Sequence, residues 1–320
     1  MYSIKYLISE INKSLKGSYT KREPKNLYQP IEYSMSVGGK RIRPVLCLMA
    51  CNMFSDSISE AIKPAIGIEV FHNFTLLHDD IMDKAEVRRN QPTVHKKWDE
   101  NTAILSGDAM MIEAYQYFLD LEPHVLSKSL KVFNPTALEV CEGQQYDMDF
   151  ESRLDVQEVE YIEMIRLKTA VLLAGALKIG AIIGGADYKD TEKIYDFGIN
   201  MGIAFQLQDD FLDTFGDEET FGKRIGGDII ENKKTFLLIN ALEKSPQRIK
   251  SLLNNTTLSE TEKINQVSEV YKDLEIDKLC QNKIEAYYQK ALKLLTEISV
   301  GDEKKVLLLT FLNKLEKRIH

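Results

Sequence analysis

A chain of 320 residues, 44% hydrophobic and 28% charged, has the composition of an ordinary globular protein and the length for a large core or for two domains. Its net charge of −8 excludes a general electrostatic match to nucleic acid, so a polyanionic ligand has to be met by local basic clusters or through metal ions. Four cysteines, Cys47, Cys51, Cys141 and Cys280, make no disulfide framework. Cys47 and Cys51 stand one helical turn apart without a second Cys/His pair, and the apolar run around them, PVLCLMACNMF, suits buried thiols better than half a metal site.

The N-terminal MYSIKYLISEINK has amphipathic helical spacing and lacks the apolar run and cleavage site of a signal peptide. Strand signals are nearly absent from the rest of the chain. The prolines are expected at helix breaks, and Pro44 and Pro64 fit first helical turns, where a missing N–H costs nothing. Periodicity predicts helices over 99–119, 134–150, 155–183, 190–215 and 235–242. The stretch 170–186 is interrupted by Lys178 and rich in glycine and alanine; it falls short of a membrane span and suits a close-packed core helix. Ser259 followed by Glu262 reads as a capping box. Segment 306–319 carries Leu308, Phe311, Leu312, Leu315 and Ile319 on one face. Asn73-Phe74-Thr75 is a glycosylation sequon inside an apolar helix, which argues against the secretory route and for a cytoplasmic protein. No linker or low-complexity stretch divides the chain, so one all-α domain over 1–320 is expected.

Two acidic clusters stand out, His78-Asp79-Asp80-Ile81-Met82-Asp83 and Gln208-Asp209-Asp210-Phe211-Leu212-Asp213. Each is Asp-Asp-apolar-apolar-Asp at the end of an apolar helix. Residues four apart share a helix face, so Asp79 with Asp83, and Asp209 with Asp213, each present two carboxylates side by side. Hard oxygen ligands in that number suit Mg²⁺, which takes one or two carboxylates and fills its shell with waters and substrate phosphates. One such cluster could be a solvated helix end. Two fit that reading poorly, because acidic side chains at a helix C-terminus oppose the dipole and repel one another, and so call for a counterion. Basic residues recur where a phosphate ligand would need them: Gly38-Gly39-Lys40-Arg41-Ile42-Arg43-Pro44 ahead of a helix, Arg88-Arg89 after the first cluster, Lys168-Thr169 within an apolar helix, and Lys223, Lys233 and Lys234 around Gly226-Gly227-Asp228 after the second.

With these motifs in hand, GGKRIRP at 38–44, LLHDDIMD at 76–83, RRNQPTVH at 88–95, GDAMMIEAY at 107–115, EGQQYDMDFE at 142–151, LKTA at 167–170, FQLQDDFLD at 205–213 and GKRIGGDIIENKKT at 222–235, the chain resembles the trans-isoprenyl diphosphate synthases of the farnesyl and geranylgeranyl type. The resemblance implies an all-α, single-domain bundle of ten or more helices around a central cavity (the isoprenoid synthase fold) and a homodimer. It implies condensation of an allylic diphosphate (dimethylallyl, geranyl or farnesyl) with isopentenyl diphosphate, with no nucleic acid and no membrane span involved. Three Mg²⁺ per active site are implied, Asp79 and Asp83 holding two and Asp209 and Asp213 helping to hold a third, with Asp80, Asp210 and Asp228 in support. By the same resemblance Arg88, Lys168 and Lys233 contact the allylic diphosphate. Thr169 and Gln206 steady positive charge near the reacting carbons, and Lys40, Arg43, His72 and Arg89 hold the diphosphate of isopentenyl diphosphate. Lys223 belongs to the closing region. His72 taken alone would read as a core histidine. Product length is expected to follow Phe74 and Thr75, five and four residues before Asp79. One is bulky and one small, and the first acidic motif is of the short kind, so C20 is expected and C15 is the alternative; Tyr115 is the other candidate for the cavity floor. Readings of another class are a non-catalytic subunit of a heteromeric synthase, which would lack motif residues, and a terpene cyclase, which would not need Lys40, Arg43 and Arg89.

Overall fold

Helical periodicity carries through into the structure, a computed structural model that describes residues 2–16, 22–217 and 225–316. In order come α1 (Ile4–Leu15), α2 (Lys25–Ser36), α3 (Ile42–Phe54), α4 (Ser59–Met82), α5 (Val94–Lys97), α6 (Glu100–Gln116), α7 (Pro123–Glu151), α8 (Glu158–Ile165), a π-helical turn Arg166–Ala170, α9 (Val171–Ile183) and α10 (Tyr188–Phe215). Helices Gly227–Ile230, Phe236–Lys244, Pro246–Leu253, Glu260–Asp273, Ile276–Thr296 and Asp302–Glu316 follow. The all-α expectation of ten or more helices therefore holds, and among the described residues no helix is long and apolar enough to cross a membrane.

The chain divides into two compact units, Met1–Phe133 with Ala176–Thr191 and Val300–Leu307, and Asn134–Gly175 with Glu192–Ser299 and Leu308–His320. No polar linker marks the divisions, several of which fall inside α7, α9, α10 and Asp302–Glu316. In the first unit α4 packs on α3 and α6. A Cβ on Gly67 would stand 2.6 Å from the Ala114 carbonyl, and one on Gly107 would strike the His78 ring, so α4 and α6 meet almost backbone to backbone. Asp99 caps α6 by accepting the Thr102 N–H at 2.8 Å. Cys47 and Cys51 are buried in α3, as the apolar run predicts. Asn73 of the sequon is buried too.

In the second unit, Tyr161, Leu207, Phe236, Ile249, Val267, Tyr271 and Cys280 are among the residues of one apolar core. Thr235 caps Phe236–Lys244, and Ser259 with Glu262 forms the expected capping box.

Three local expectations are corrected. Pro64 lies inside α4 rather than in its first turn, and Pro30 and Pro135 also sit within helices; the carbonyl that Pro64 leaves unbonded is that of exposed Glu60, which can turn to water. The segment 155–183 is not one helix: a capping box of Gln157 and Glu160 starts α8 late, and the π turn, closed by Val171 N–H to the Arg166 carbonyl, interrupts it. A short antiparallel hairpin, Val87–Arg88 with Gln91–Pro92, forms although strand signals are nearly absent from the sequence. Its turn residues Arg89 and Asn90 have φ of 52° and 60°, the pair of positive values that a tight hairpin turn needs.

Candidate active site

In the first unit the site grows from three backbone devices. The Gly38-Gly39 pair, with φ of 91° and 144°, bends the chain sharply ahead of α3. Arg41 follows as the N-cap of α3 at φ 49°. The hairpin then brings Arg89 back to this loop, where its guanidinium donates to the Gly38 carbonyl and blocks any side chain at Gly39. Lys40 is exposed on the loop. Arg43 sits 2.9 Å from His72 Nε2. Burial, then the neighbouring Arg43, Arg89, Arg88 and Arg41, push the His72 pKa well below its ordinary value, so the imidazole is neutral and its Nε2 accepts from Arg43. Lys40, Arg43, His72 and Arg89 are thus collected around one loop and one face of α4.

The first acidic motif closes α4, with Asp83 as the C-cap residue. Asp80 is buried, and its Oδ1 accepts from Arg88 Nε at 2.6 Å. Burial raises the Asp80 pKa, and Arg88 pulls it back. Asp79 is partly exposed and Asp83 exposed. Asp80, Arg88 and Arg89 line an open cleft with Tyr33, Asn73 and Leu76 among its other walls. Phe74 is 8% exposed, its ring 5.4 Å from Phe71 and 4.8 Å from His78. The Thr75 hydroxyl donates to the His72 carbonyl at 2.8 Å.

In the second unit the π turn carries Lys168 and Thr169. Gly143 on α7 has no room for a Cβ against the Lys168 backbone. Lys168 Nζ donates to Asp147 Oδ2 at 2.5 Å. Thr169 Oγ1 donates to Gln206 Oε1 at 3.2 Å, and Gln206 Nε2 donates to Asp210 Oδ1 at 3.1 Å. The other Asp210 oxygen accepts from the buried Tyr161 hydroxyl. Burial and the nearby Asp228 push Asp210 up to about 7, against Lys233, Tyr161 and Gln206. Asp213 Oδ2 accepts the Asp228 N–H at 3.0 Å, which ties the end of α10 to the start of Gly227–Ile230. Lys233 Nζ is 3.9 Å from Asp228 Oδ1. Burial lowers its pKa, but Asp228, Asp147 and Asp210 more than reverse that, so the ammonium stays charged. Asp147, Tyr161, Lys168, Thr169, Gln206, Asp210 and Lys233 are among the residues that line one open cleft. Lys223 lies outside the described residues.

Among the described residues no three Asp, Glu, His or Cys side chains converge on a point that would cage a metal by themselves. Mg²⁺ keeps several waters and is bound by one or two carboxylates plus phosphates. The donors are of the right kind: hard carboxylates one turn apart at each motif, while Asp80 and Asp210 are occupied by Arg88 and by Tyr161 with Gln206. Four residues at the site have no site role assigned to them from the sequence. Asp147 lies inside one of the motifs, and its position 21 residues before Lys168 gives no cue. Asn73 is read only as part of a sequon, and Tyr161 and Glu69 carry no motif of their own; a lone Glu inside the apolar run of α4 is the one available signal that a buried cation has to face it.

The family model described as polyprenyl synthetase matches residues 24–274. The chain is 42% identical over 241 residues to the geranylgeranyl diphosphate synthase of Methanosarcina mazei, a match covering 75% of this chain and 74% of that one. It is 38% identical over 252 residues to the geranylfarnesyl diphosphate synthase of Natronomonas pharaonis, covering 73% and 74%. A crystal structure of a geranylgeranyl pyrophosphate synthase superposes with a TM-score of 0.94 at 48% identity, covering 98% of each chain.

Proposed function

The chain belongs to the polyprenyl synthetase family, and we propose that it is a short-chain trans-prenyltransferase that extends allylic diphosphates with isopentenyl diphosphate to geranylgeranyl diphosphate (C20). The observation that carries this reading is the separation of cations into sets. Arg88, Lys168 and Lys233 are each paired with a carboxylate beside an acidic motif or its cleft, whereas Arg43 bonds to His72 and Arg89 to the Gly38 carbonyl at the glycine loop that carries Lys40. Two diphosphates with different partners, one met with metal and one without, explain that division. Geranylgeranyl diphosphate synthases among the similar proteins support the C20 product.

In this reading Asp79 and Asp83 hold two Mg²⁺ and Asp209 with Asp213 helps to hold a third. Bound there, the ions supply Lewis-acid stabilisation of charge on a departing diphosphate. The allylic C1–O bond breaks with its electron pair leaving on the diphosphate, and Arg88, Lys168 and Lys233 meet that charge with fixed donors. The double bond of isopentenyl diphosphate then bonds to C1. Proton loss to the released diphosphate completes the longer chain. Lys40, Arg43, neutral His72 and Arg89 hold the second diphosphate so that it stays intact. The Thr169–Gln206–Asp210 chain of hydrogen bonds locks the Gln206 amide in one orientation, which suits a dipole that steadies positive carbon. Asp228 supports Lys233, and Lys223 is assigned to the same closing region.

The reading includes one cytoplasmic, single-domain protomer and a homodimer. Buried thiols at Cys47, Cys51 and Cys280 suit a reducing compartment. Leu105 and Ile112 are each 60% exposed on α6, beside exposed Ile104 and Met111, an apolar stripe of the kind that a second copy covers. The test is incubation with isopentenyl diphosphate, each allylic diphosphate in turn and Mg²⁺, with chromatographic sizing of products. A C20 linear diphosphate is expected. C15 or C25 as the end product would change the length assignment, hydrocarbons would mean a cyclase, and no turnover in isolation would mean a non-catalytic subunit.

A further inference from the structure

We propose that Glu69 is the positioning residue of the isopentenyl diphosphate site, holding the glycine loop through Arg41 so that Lys40 and Arg43 are presented to the ligand. The inference rests on the reading above that those side chains receive that diphosphate. Arg41 lies between them in the sequence but does the opposite of what they are assigned. Its side chain is 7% exposed and that of Glu69 is 3% exposed, and the two pair at 2.7 Å. Its second terminal nitrogen donates to the Met35 carbonyl at 2.6 Å. The guanidinium is thus bonded inward through both terminal nitrogens. Its backbone is left-handed at φ 49°, a conformation uncommon for a residue with a side chain. The bonds to Glu69 and Met35 hold this residue in place, and the turn it forms is the one that places Lys40 before Arg41 and Arg43 after it.

Glu69 is itself oriented. Asn73, one turn further along α4, donates to the Glu69 carbonyl at 2.8 Å and to Glu69 Oε1 at 3.3 Å. His72 lies three residues on from Glu69, on the neighbouring surface of the same helix, and accepts from Arg43 at 2.9 Å. One stretch of α4 therefore anchors Arg41 through a carboxylate and Arg43 through an imidazole. Glu69 also provides opposite charge for guanidiniums that repel one another. It sustains the basicity of Arg43, which burial lowers to about 10 with a further contribution from Arg89, and it does the same for Arg89. Because its carboxylate is bonded to Arg41, it balances the cluster without taking the place of a diphosphate on Lys40, Arg43 or Arg89.

The test uses the full chain. Glu69→Gln keeps the shape and removes the charge. The expected result is a rise of about tenfold or more in the KM for isopentenyl diphosphate, the loss of one charge-assisted buried bond, with the KM for the allylic diphosphate unchanged. Calorimetric titration of isopentenyl diphosphate alone should show the same loss, and Glu69→Asp should fall between the two. Equal rises in both KM values, or no rise in either, overturn the proposal. If Glu69→Gln melts below assay temperature, the paired variant Arg41→Met with Glu69→Leu replaces a buried ion pair by apolar side chains, a change that proteins often tolerate. It should fold and keep the isopentenyl-specific defect; wild-type affinity for isopentenyl diphosphate in that variant shows the pair to be packing only and overturns the proposal. Absence of elongated product from the wild-type protein would sink the functional reading instead, and the calorimetric comparison of wild type with Glu69→Gln would still decide the role of Glu69.

Discussion

Arg88 Nε donates to Asp80 Oδ1 at 2.6 Å, so the middle carboxylate of the first acidic motif is bonded to an arginine while Asp79 and Asp83 flank it one turn apart. The three aspartates of the motif should therefore fail in different ways. Asp79→Ala and Asp83→Ala should each lower turnover by at least about 10²-fold, the scale of losing a preorganised charge stabiliser, and should shift the Mg²⁺ titration of the rate. Asp80→Asn should raise the KM for the allylic diphosphate, because Arg88 is released, while leaving the Mg²⁺ titration in place. A normal rate for Asp79→Ala at saturating Mg²⁺ would refute the metal assignment.

The separation of cations into two sets gives a second expectation. Arg89→Ala should raise the KM for isopentenyl diphosphate, since a guanidinium that meets a phosphate is not replaced by water or by a methyl group. Lys168→Ala should impair use of the allylic substrate, and Asp147→Asn should do so more mildly, because Asp147 fixes the Lys168 ammonium at 2.5 Å without itself meeting substrate. Steady-state kinetics with each substrate varied in turn separates the cases. Equal effects on both substrates from both variants would contradict the split.

His72 makes a prediction about pH. Its pKa is held well below the ordinary 6.5, chiefly by burial and then by Arg43, Arg89, Arg88 and Arg41. Below that ordinary value the unfolded chain takes up a proton that the folded chain refuses, so the folded state loses stability as pH falls. The contribution is fully present above about pH 6.5 and is lost at no more than about 1.4 kcal/mol per pH unit below it. The melting temperature of the wild type should therefore drop more between pH 7.5 and pH 5.5 than that of His72→Gln. Parallel melting curves for the two proteins would mean that His72 carries its proton in the folded state.

What was legible in the sequence had a local signature. The acidic motifs, the capping box at Ser259 and the buried thiols are each written in residues a turn or less apart. The interactions that complete the site are not local. Arg41 meets Glu69 across 28 positions and Tyr161 meets Asp210 across 49, and helical periodicity reports only which face is apolar, never which partner faces it. Two backbone features lacked even their usual residue signal. The hairpin turn uses Arg89 and Asn90 rather than glycine, and the π turn at Arg166–Ala170 adds a residue to an apolar helix without changing its composition. Both lie at residues assigned to substrate, where local rules are expected to give way.

Product length is the last expectation, and the geometry of α4 divides it between two residues. Thr75 is four residues before Asp79, about 40° from it around an ideal helix, whereas Phe74 is five before and about 140° away. Phe74 accordingly belongs to the side of α4 that carries Phe71 and His78. Phe71 packs on Phe133 at 5.3 Å, and Phe133 on Tyr115 at 5.1 Å. The two candidates for the floor, Phe74 and Tyr115, thus belong to one cluster of tilted and edge-to-face rings rather than being alternatives. Removing Phe74 should open that cluster and let the growing chain pass, so Phe74→Ala should shift products to C25 and longer. Thr75 sits on the side of Asp79, where bulk would meet the chain earlier, so Thr75→Phe should shift products toward C15. Chromatographic sizing under one set of substrate concentrations reads both. If Phe74→Ala leaves the products at C20 while Thr75→Phe shortens them, the floor lies on the Asp79 face alone and the aromatic cluster is packing. If neither variant changes the products, α4 does not set the length.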